Sequence, residues 1–338
     1  MTNGLLCIGD NVVDLYLDRG VFFPGGNALN VAVLARRFGL SDVAYMGIVG
    51  NDREGDHVRA CMLAENLSTA QLRRVEGPNG KAQVTHDAEG DRVFVASNRG
   101  GIRRKLMLRM DEDDLALIAA KGNVHSSCFS YLEPELPRIR AAARGVSFDF
   151  STLHDPAYLE QVCPHVSTAF LSGAGLADAA VSKLIARVLD LGPDTVCVTR
   201  GDKGAVWANG QTRIEQPIVP ARVVDTMGAG DAFIAGYLVA RLRGDTPEEV
   251  LQYAAFCAAK ACGWEGAWGY PIADIPYPTA DVIDPALVLV RRSVARTGSA
   301  LDPPSLGEDA FERTGIPGAN DRFPPLTLPR VRGMPVFQ

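Results

Sequence analysis

Residues 5–8 (LLCI) form a short unbroken apolar run that stops at Gly9-Asp10, the pattern of a strand buried on both faces. Residues 27–38 (NALNVAVLARRF) repeat apolar positions with helical period and meet Gly39, a residue suited to end a helix. A second strand is predicted over 43–49. Between residues 81 and 97, KAQVTHDAEGDRVFVAS alternates polar and apolar positions on either side of Glu89-Gly90. That is a hairpin pattern, and its two-sided polarity predicts strands that are not both covered by helices. Beyond His125, short apolar runs (VSFDF, TAFLS, TVCVT) alternate with amphipathic stretches such as residues 177–191. The rhythm predicts an α/β fold with a mostly parallel sheet and helices on both faces. Residues 218–224 read as another strand, leading through DTMGAGD into an apolar helix that ends near Arg243-Gly244.

Composition changes the picture in two places. The chain has 338 residues, enough for one large α/β domain or two smaller ones. The βα rhythm fails after about residue 270, where eleven of the 21 prolines fall. This predicts a domain over 1–275, then a short helix over 284–296 within a Pro-rich, irregular extension over 276–338. The net charge of −6 gives no reason to expect nucleic acid or an anionic membrane as a partner. No apolar run reaches the roughly 18–20 residues that span a bilayer, and MTNGLLCIGDNVVD lacks the basic start of a signal peptide. Seven scattered cysteines without a CxxC predict buried, reduced thiols in a cytoplasmic protein, and the five histidines show no metal-ligand spacing.

Three segments can carry chemistry. In VVDTMGAGDAFIAGYL, Asp225 and Asp231 bracket a Gly-Ala-Gly turn that opens into a helix. Such a start presents unpaired N–H groups and the positive end of the helix dipole, which suits a phosphate. It also suits an aspartate that simply favours the dipole, and the local pattern leaves the two alternatives balanced. In GDNVVDLYLDRGVFFPGGNALN, Asp10, Asn11 and Asp14 follow the first strand, and Gly25, Gly26, Asn27 and Asn30 open the first long helix. These amides and carboxylates can bind the hydroxyls of a polyol, although Asn27 taken alone reads more simply as a helix cap. VTRGDKGAVW reads as a hairpin turn.

In this order, GGNALN, VTRGDKGAV and above all DTMGAGDAF make the chain resemble the ribokinase-like PfkB carbohydrate kinases over roughly residues 4–270. Within that family, IGDNVVDLY, FPGGNALNVAV, DRVF, VSFDFS and the late GAW (Gly266, Ala267 and Trp268) are most similar to the fructoselysine 6-kinase subgroup. The resemblance implies a three-layer α/β/α fold with a small β-lid drawn from about 12–24 and 80–100. It implies ATP and Mg²⁺, with γ-phosphoryl transfer to a primary hydroxyl, that of a fructosamine such as fructoselysine at its 6-position. The alternatives are fructose, ribose or a nucleoside as acceptor and, more distantly, a non-catalytic sugar- or nucleotide-binding module. Asp231 would be the general base, and the N–H groups of Gly228, Ala229 and Gly230 the anion hole. Asp14, Gly26, Asn27 and Asn30 would hold the sugar, with Gln83 and Arg92 facing it from the lid. Thr199, Gly201 and Gly204 would line the nucleotide site, and Asp225 with Thr226 would mark a monovalent-cation site for K⁺. A homodimer joined through the lid is also implied. A fructosamine's charged arm calls for a counter-charge beyond the sugar, for which Asp91, Arg92, Glu133 and His154 are candidates. The chain departs from the family at Leu171-Ser172-Gly173-Ala174-Gly175, which stands where an Asn-x-x-Glu element for magnesium and phosphate is usual; Asp178 would be its substitute.

Overall fold

The structure, a computed structural model, describes residues 3–86 and 92–274. The hairpin turn expected at Glu89-Gly90, Asp91, the Arg92 side chain, the helix expected over 284–296 and the rest of the extension fall outside the described residues. Fourteen strands are described, in chain order β1 (Gly4–Gly9), β2 (Val12–Tyr16), β3 (Val21–Gly25), β4 (Val43–Val49), β5 (Leu72–Arg74), β6 (Lys81–His86), β7 (Arg92–Ser97), β8 (Gly122–Ser127), β9 (Gly145–Asp149), β10 (Thr168–Ser172), β11 (Thr195–Thr199), β12 (Ala205–Ala208), β13 (Arg213–Gln216) and β14 (Ile272–Ala273). The helices are α1 (Asn27–Arg37), α2 (Arg53–Ala64), α3 (Glu112–Lys121), α4 (Leu136–Ala142), α5 (Pro156–Val162), α6 (Asp178–Asp190), α7 (Ala229–Arg243) and α8 (Pro247–Ala261).

Nine strands make the large sheet, in the order β13-β12-β11-β10-β9-β8-β1-β4-β5. From β11 to β5 every neighbour is parallel, while β12 and β13 close one edge antiparallel. The parallel strands are apolar because helices cover both faces: β1 and β4 are buried at every position. One face packs on α1, α7 and α8, whose buried residues include Leu29, Val33, Phe233, Tyr237 and Leu251. The other face carries separate clusters, around Leu159, Val162, Val181 and Ile185 and around Ile118 and Ile139. Helix α7 is apolar all round, with residues 232–240 buried without a break, as a helix enclosed by neighbours must be.

A second sheet, in the order β14-β3-β2-β6-β7, combines the segments expected for the lid with a short strand from the end of the domain. The antiparallel pairing of β6 with β7 and of β11 with β12 matches the two expected hairpins.

The strand expected over 218–224 is absent. Pro217 and Pro220 remove N–H donors, Ile218, Val223 and Val224 are exposed, and Val224 and Asp225 donate instead to the Cys262 carbonyl. A β-branched run needs a sheet edge to become a strand, and β13 has already ended at Gln216. All seven cysteines are free thiols, five of them buried. Among the described residues no helix is long and apolar enough to cross a membrane.

Candidate active site

The carboxyl ends of β1, β9, β10 and β11 converge on a cleft of about 650 Å³, where open parallel sheets place their ligands. Asp10, Asp149, Leu171, Ser172 and Thr199 line it from the strand ends, and Gly26, Asn27 and Asn30 from the start of α1. Thr226, Met227, Gly228, Gly230, Asp231 and Ile234 line it from the start of α7. The small sheet adds Val12, Asp14, Ala82, Phe94 and Ser97, and beyond it stand Arg99, Gly100, Arg103, Phe129 and Tyr131.

Asp231 is held at both of its oxygens. Asn27 Nδ2 donates to its Oδ1 at 2.7 Å and Asn30 Nδ2 to its Oδ2 at 2.6 Å. The other hydrogen of the Asn27 amide goes to Asp149 Oδ2 at 2.8 Å. One amide therefore bridges two carboxyl groups. Burial pushes Asp231 up to about 8; the Asn30 and Asn27 amides pull it down, and the charges of Asp149 and Asp10 push it further up. Burial likewise raises Asp149 to about 7, against a hydrogen bond from the Ser151 N–H. A carboxyl tuned close to neutrality and open to a cleft can take a proton from an alcohol.

The amides are themselves held. Trp268 Nε1 can only donate, and it does so to Asn30 Oδ1 at 2.7 Å, which fixes that amide with its NH₂ toward Asp231. His125 Nε2 lies 3.2 Å from Asn27 Oδ1 and its Nδ1 3.0 Å from Ser147 Oγ. Burial lowers His125 to about 3, so the ring is neutral. The ring stands between Asn27 Oδ1 and Ser147 Oγ, and Ser147 Oγ in turn donates to the Val124 carbonyl at 3.1 Å. Ser147, His125 and Asn27 thus form a chain that aims an amide at Asp231.

Helix α7 begins without a side-chain cap, at Gly228 with φ 72°. That φ favours glycine, and a Cβ there would come within 2.6 Å of Ala267 Cβ. The Ala229 N–H donates to the Thr226 carbonyl at 3.2 Å, and the first helical bond runs from Ala232 to Gly228. The N–H groups of Gly228 and Gly230 remain at the open start of the helix. A Cβ on Gly230 would meet nothing within 4 Å, so the protein itself does not demand glycine there. Asp225 is buried and accepts from Met227 N at 2.8 Å, Gly266 N at 3.0 Å and Tyr16 Oη at 2.5 Å. These bonds shape the loop. The GAW segment supports three parts of the site: Gly266 bonds Asp225, Ala267 abuts Gly228 and Trp268 orients Asn30.

The structure brings Asp14, Gly26, Asn27, Asn30, Thr199, Thr226, Gly228, Gly230 and Asp231 to one cleft. Gly201 (φ 62°) and Gly204 (φ 77°) form the turn between β11 and β12, beside Thr199 but outside the lining. Gln83 is a correction: strand parity buries Ala82 and Val84 toward one side, and Gln83 opens onto a separate depression with Glu54, Lys81 and Asn98. Asp178 is another, since it pairs with Arg200 and does not line the cleft. Glu133 accepts from Tyr158 Oη at 2.6 Å and His154 lies by the Ser151 carbonyl, so neither faces the cleft. Asp10 is a cap, accepting from Asn27 N, Ala28 N, Ser127 Oγ and Ser130 Oγ. Asp149, His125, Arg99 and Arg103 were not singled out by the sequence pattern as parts of this cleft. VSFDFS carried the only signal for any of them, an aspartate at the carboxyl end of a parallel strand.

A family model for the pfkB family carbohydrate kinases matches residues 6–271, and the chain belongs to that family. It is 45% identical to the fructosamine kinase FrlD of Bacillus subtilis over 266 residues, which covers 79% of this chain and 93% of that protein. It is 33% identical to the fructoselysine 6-kinase of Escherichia coli, over 78% of this chain and 99% of that protein. Among solved structures, that of Arabidopsis thaliana ribokinase with ribose and ATP superposes with a TM-score of 0.67 at 22% identity, covering 79% of this chain and 94% of that one. The expected ribokinase-like α/β architecture is the one observed.

Proposed function

We propose that the protein transfers the γ-phosphoryl group of ATP to the 6-hydroxyl of a fructosamine. The observation that carries the reading is Asp231: a carboxyl raised toward neutrality, clamped by two amides, beside the open N-terminus of α7 and facing the cleft. In this reading Asp231 takes the proton of the primary hydroxyl as its oxygen bonds to the γ-phosphorus. The bond from that phosphorus to the bridging oxygen breaks, and ADP leaves with the electron pair. The N–H groups of Gly228 and Gly230 would donate to the phosphoryl oxygens as charge gathers there. Asp14, Gly26 and the second hydrogen of the Asn30 amide would hold the sugar, Asn27 would orient the base through its bond to Asp231, and Thr199 with Ser172 would line the path of the nucleotide.

The acceptor class rests on the names of the two relatives above, both fructosamine-directed. Among the described residues no group of three or more acidic, histidine or cysteine side chains could cage a metal. Magnesium would enter with ATP, held by phosphate oxygens, water and at most one or two carboxylates, and would neutralise phosphate charge. Asp225 already serves three protein donors, and K⁺ has no part in the proposal. The small sheet is read as a lid, and the exposed Val93 and Val95 of β7, on the side opposite the cleft-lining Phe94, suit a homodimer formed through it.

The test is ADP release from MgATP with fructosyl amino acids, fructose, ribose and a nucleoside. The reading predicts the highest kcat/KM with a fructosyl amino acid. Faster turnover of fructose or ribose would move the protein to another acceptor, and ligand binding without turnover would make it a sensor.

A further inference from the structure

The lining of the cleft includes a buried cation, Arg103, to which the proposed reaction gives no task. Arg103 is only 5% exposed and lines the cleft. Its Nη1 donates to the Phe129 carbonyl at 2.5 Å, and its guanidinium lies 5.2 Å from the Tyr131 ring centroid. Its Nε is buried without a hydrogen-bond partner. Among the described residues it has no carboxylate partner, whereas Arg37, also largely buried, is paired with Glu65 at 2.5 Å. Asp10, which also lines the cleft, is engaged by four protein donors. Buried guanidinium groups are ordinarily paired, because leaving one unpaired forfeits hydration without return.

Arg99 lines the same cleft and is exposed, without an acidic partner among the described residues. Arg99 (φ 55°) and Tyr131 (φ 56°) both hold backbone conformations that side-chain-bearing residues rarely adopt, and Tyr131 Oη donates to the Arg99 carbonyl at 3.2 Å. Phe129 and Tyr131 adjoin Arg103, and Phe94 lines the same cleft. An apolar-walled recess with a buried fork of N–H donors is built for a planar anion at the end of a short apolar arm.

We infer that Arg103, with Arg99 at the rim, forms a subsite for the carboxylate on the amino-acid arm of the acceptor. This rests on the fructosamine-kinase reading and adds which part of the acceptor sets specificity. Fructose, which lacks the arm, would leave Arg103 unpaired.

The experiment compares kcat/KM for fructosylglycine and ε-fructoselysine with their carboxamides, in the wild type, R103Q and R99Q, after circular dichroism has confirmed folding. A charge-assisted bond to a buried arginine predicts a preference for acid over amide of roughly 10–100-fold in the better substrate. R103Q should collapse that ratio toward one, and R99Q should reduce it by a few fold. If R103Q does not fold, the wild-type ratio and R99Q still decide the matter. A wild-type ratio near one, or a ratio that R103Q leaves intact, overturns the subsite while leaving the kinase reading standing. Absence of turnover with every fructosamine overturns both.

Discussion

Helices α1 and α7 begin alike and end up with opposite tasks. Each follows a glycine with positive φ, Gly26 at 104° and Gly228 at 72°, and neither is capped by the side chain of its own N-cap residue. At α1 the carboxylate of Asp10 crosses from the end of β1 and takes the N–H groups of Asn27 and Ala28 at 2.6 and 3.2 Å. That terminus is closed by protein and serves as a rigid mount for Asn27 and Asn30. At α7 the acid lies within the helix itself, at its third residue. Asp231 turns away from the N–H groups toward the amides that α1 presents. The second terminus stays open to the cleft. One helix start is thus consumed in building the site, and the other is left for a ligand's anion.

Breaking the open terminus should have the largest effect. Asp231→Asn is isosteric and should lower kcat by roughly a hundredfold or more in ADP-release assays, the usual worth of a positioned base. ATP binding by calorimetry should change far less. Breaking the closed terminus should act on stability instead. Asp10→Ala leaves two helix N–H groups and two hydroxyls without their acceptor, and should cost about 2–3 kcal/mol in urea unfolding.

Gly230→Ala sharpens the contrast. With open space around the new Cβ and a better helix former in place, stability should hold or rise by under about 1 kcal/mol. kcat/KM for ATP should still fall about tenfold, because the methyl group would occupy the space over the open N–H groups. A rate equal to wild type would show that no anion approaches there.

The smallest effect concerns pH and folding. Asp231 is raised in the folded protein above the roughly 3.9 of an unfolded aspartate. Its protonated form therefore favours folding at low pH, and this contribution is lost as pH rises through about 8. Thermal unfolding across that range should show a decline that Asp231→Asn lacks in part, the remainder including Asp149 at about 7.

Much of this contrast was legible in the residues, and the failures have physical causes. The apolar runs of β1, β4, β10 and β11 and the Gly-Ala-Gly start of α7 are local patterns, and they appear where the pattern puts them. Asp231, Asn27 and Asn30 could be singled out, but not the bonds between them, because those join positions 201 and 204 residues apart. Asp10 and Asp14 look equivalent in GDNVVD. Only the packing of α1 on β1 makes one a cap and leaves the other in the cleft. Gln83 failed on strand parity, since alternation alone does not say which face meets the ligand. Arg103 sits in RGGIRRKL, which reads as a solvated basic run until the fold buries one of its arginines.

The central claim, that Asp231 is the proton acceptor, is tested most directly by the pH dependence of kcat/KM for the acceptor at saturating MgATP. For the wild type the account predicts a rise of about tenfold per pH unit below roughly 8, levelling above it, with Asp231→Asn low and flat throughout. A wild-type profile that is flat from pH 6 to 9, or an Asp231→Asn variant that keeps both the rate and the slope, would contradict it.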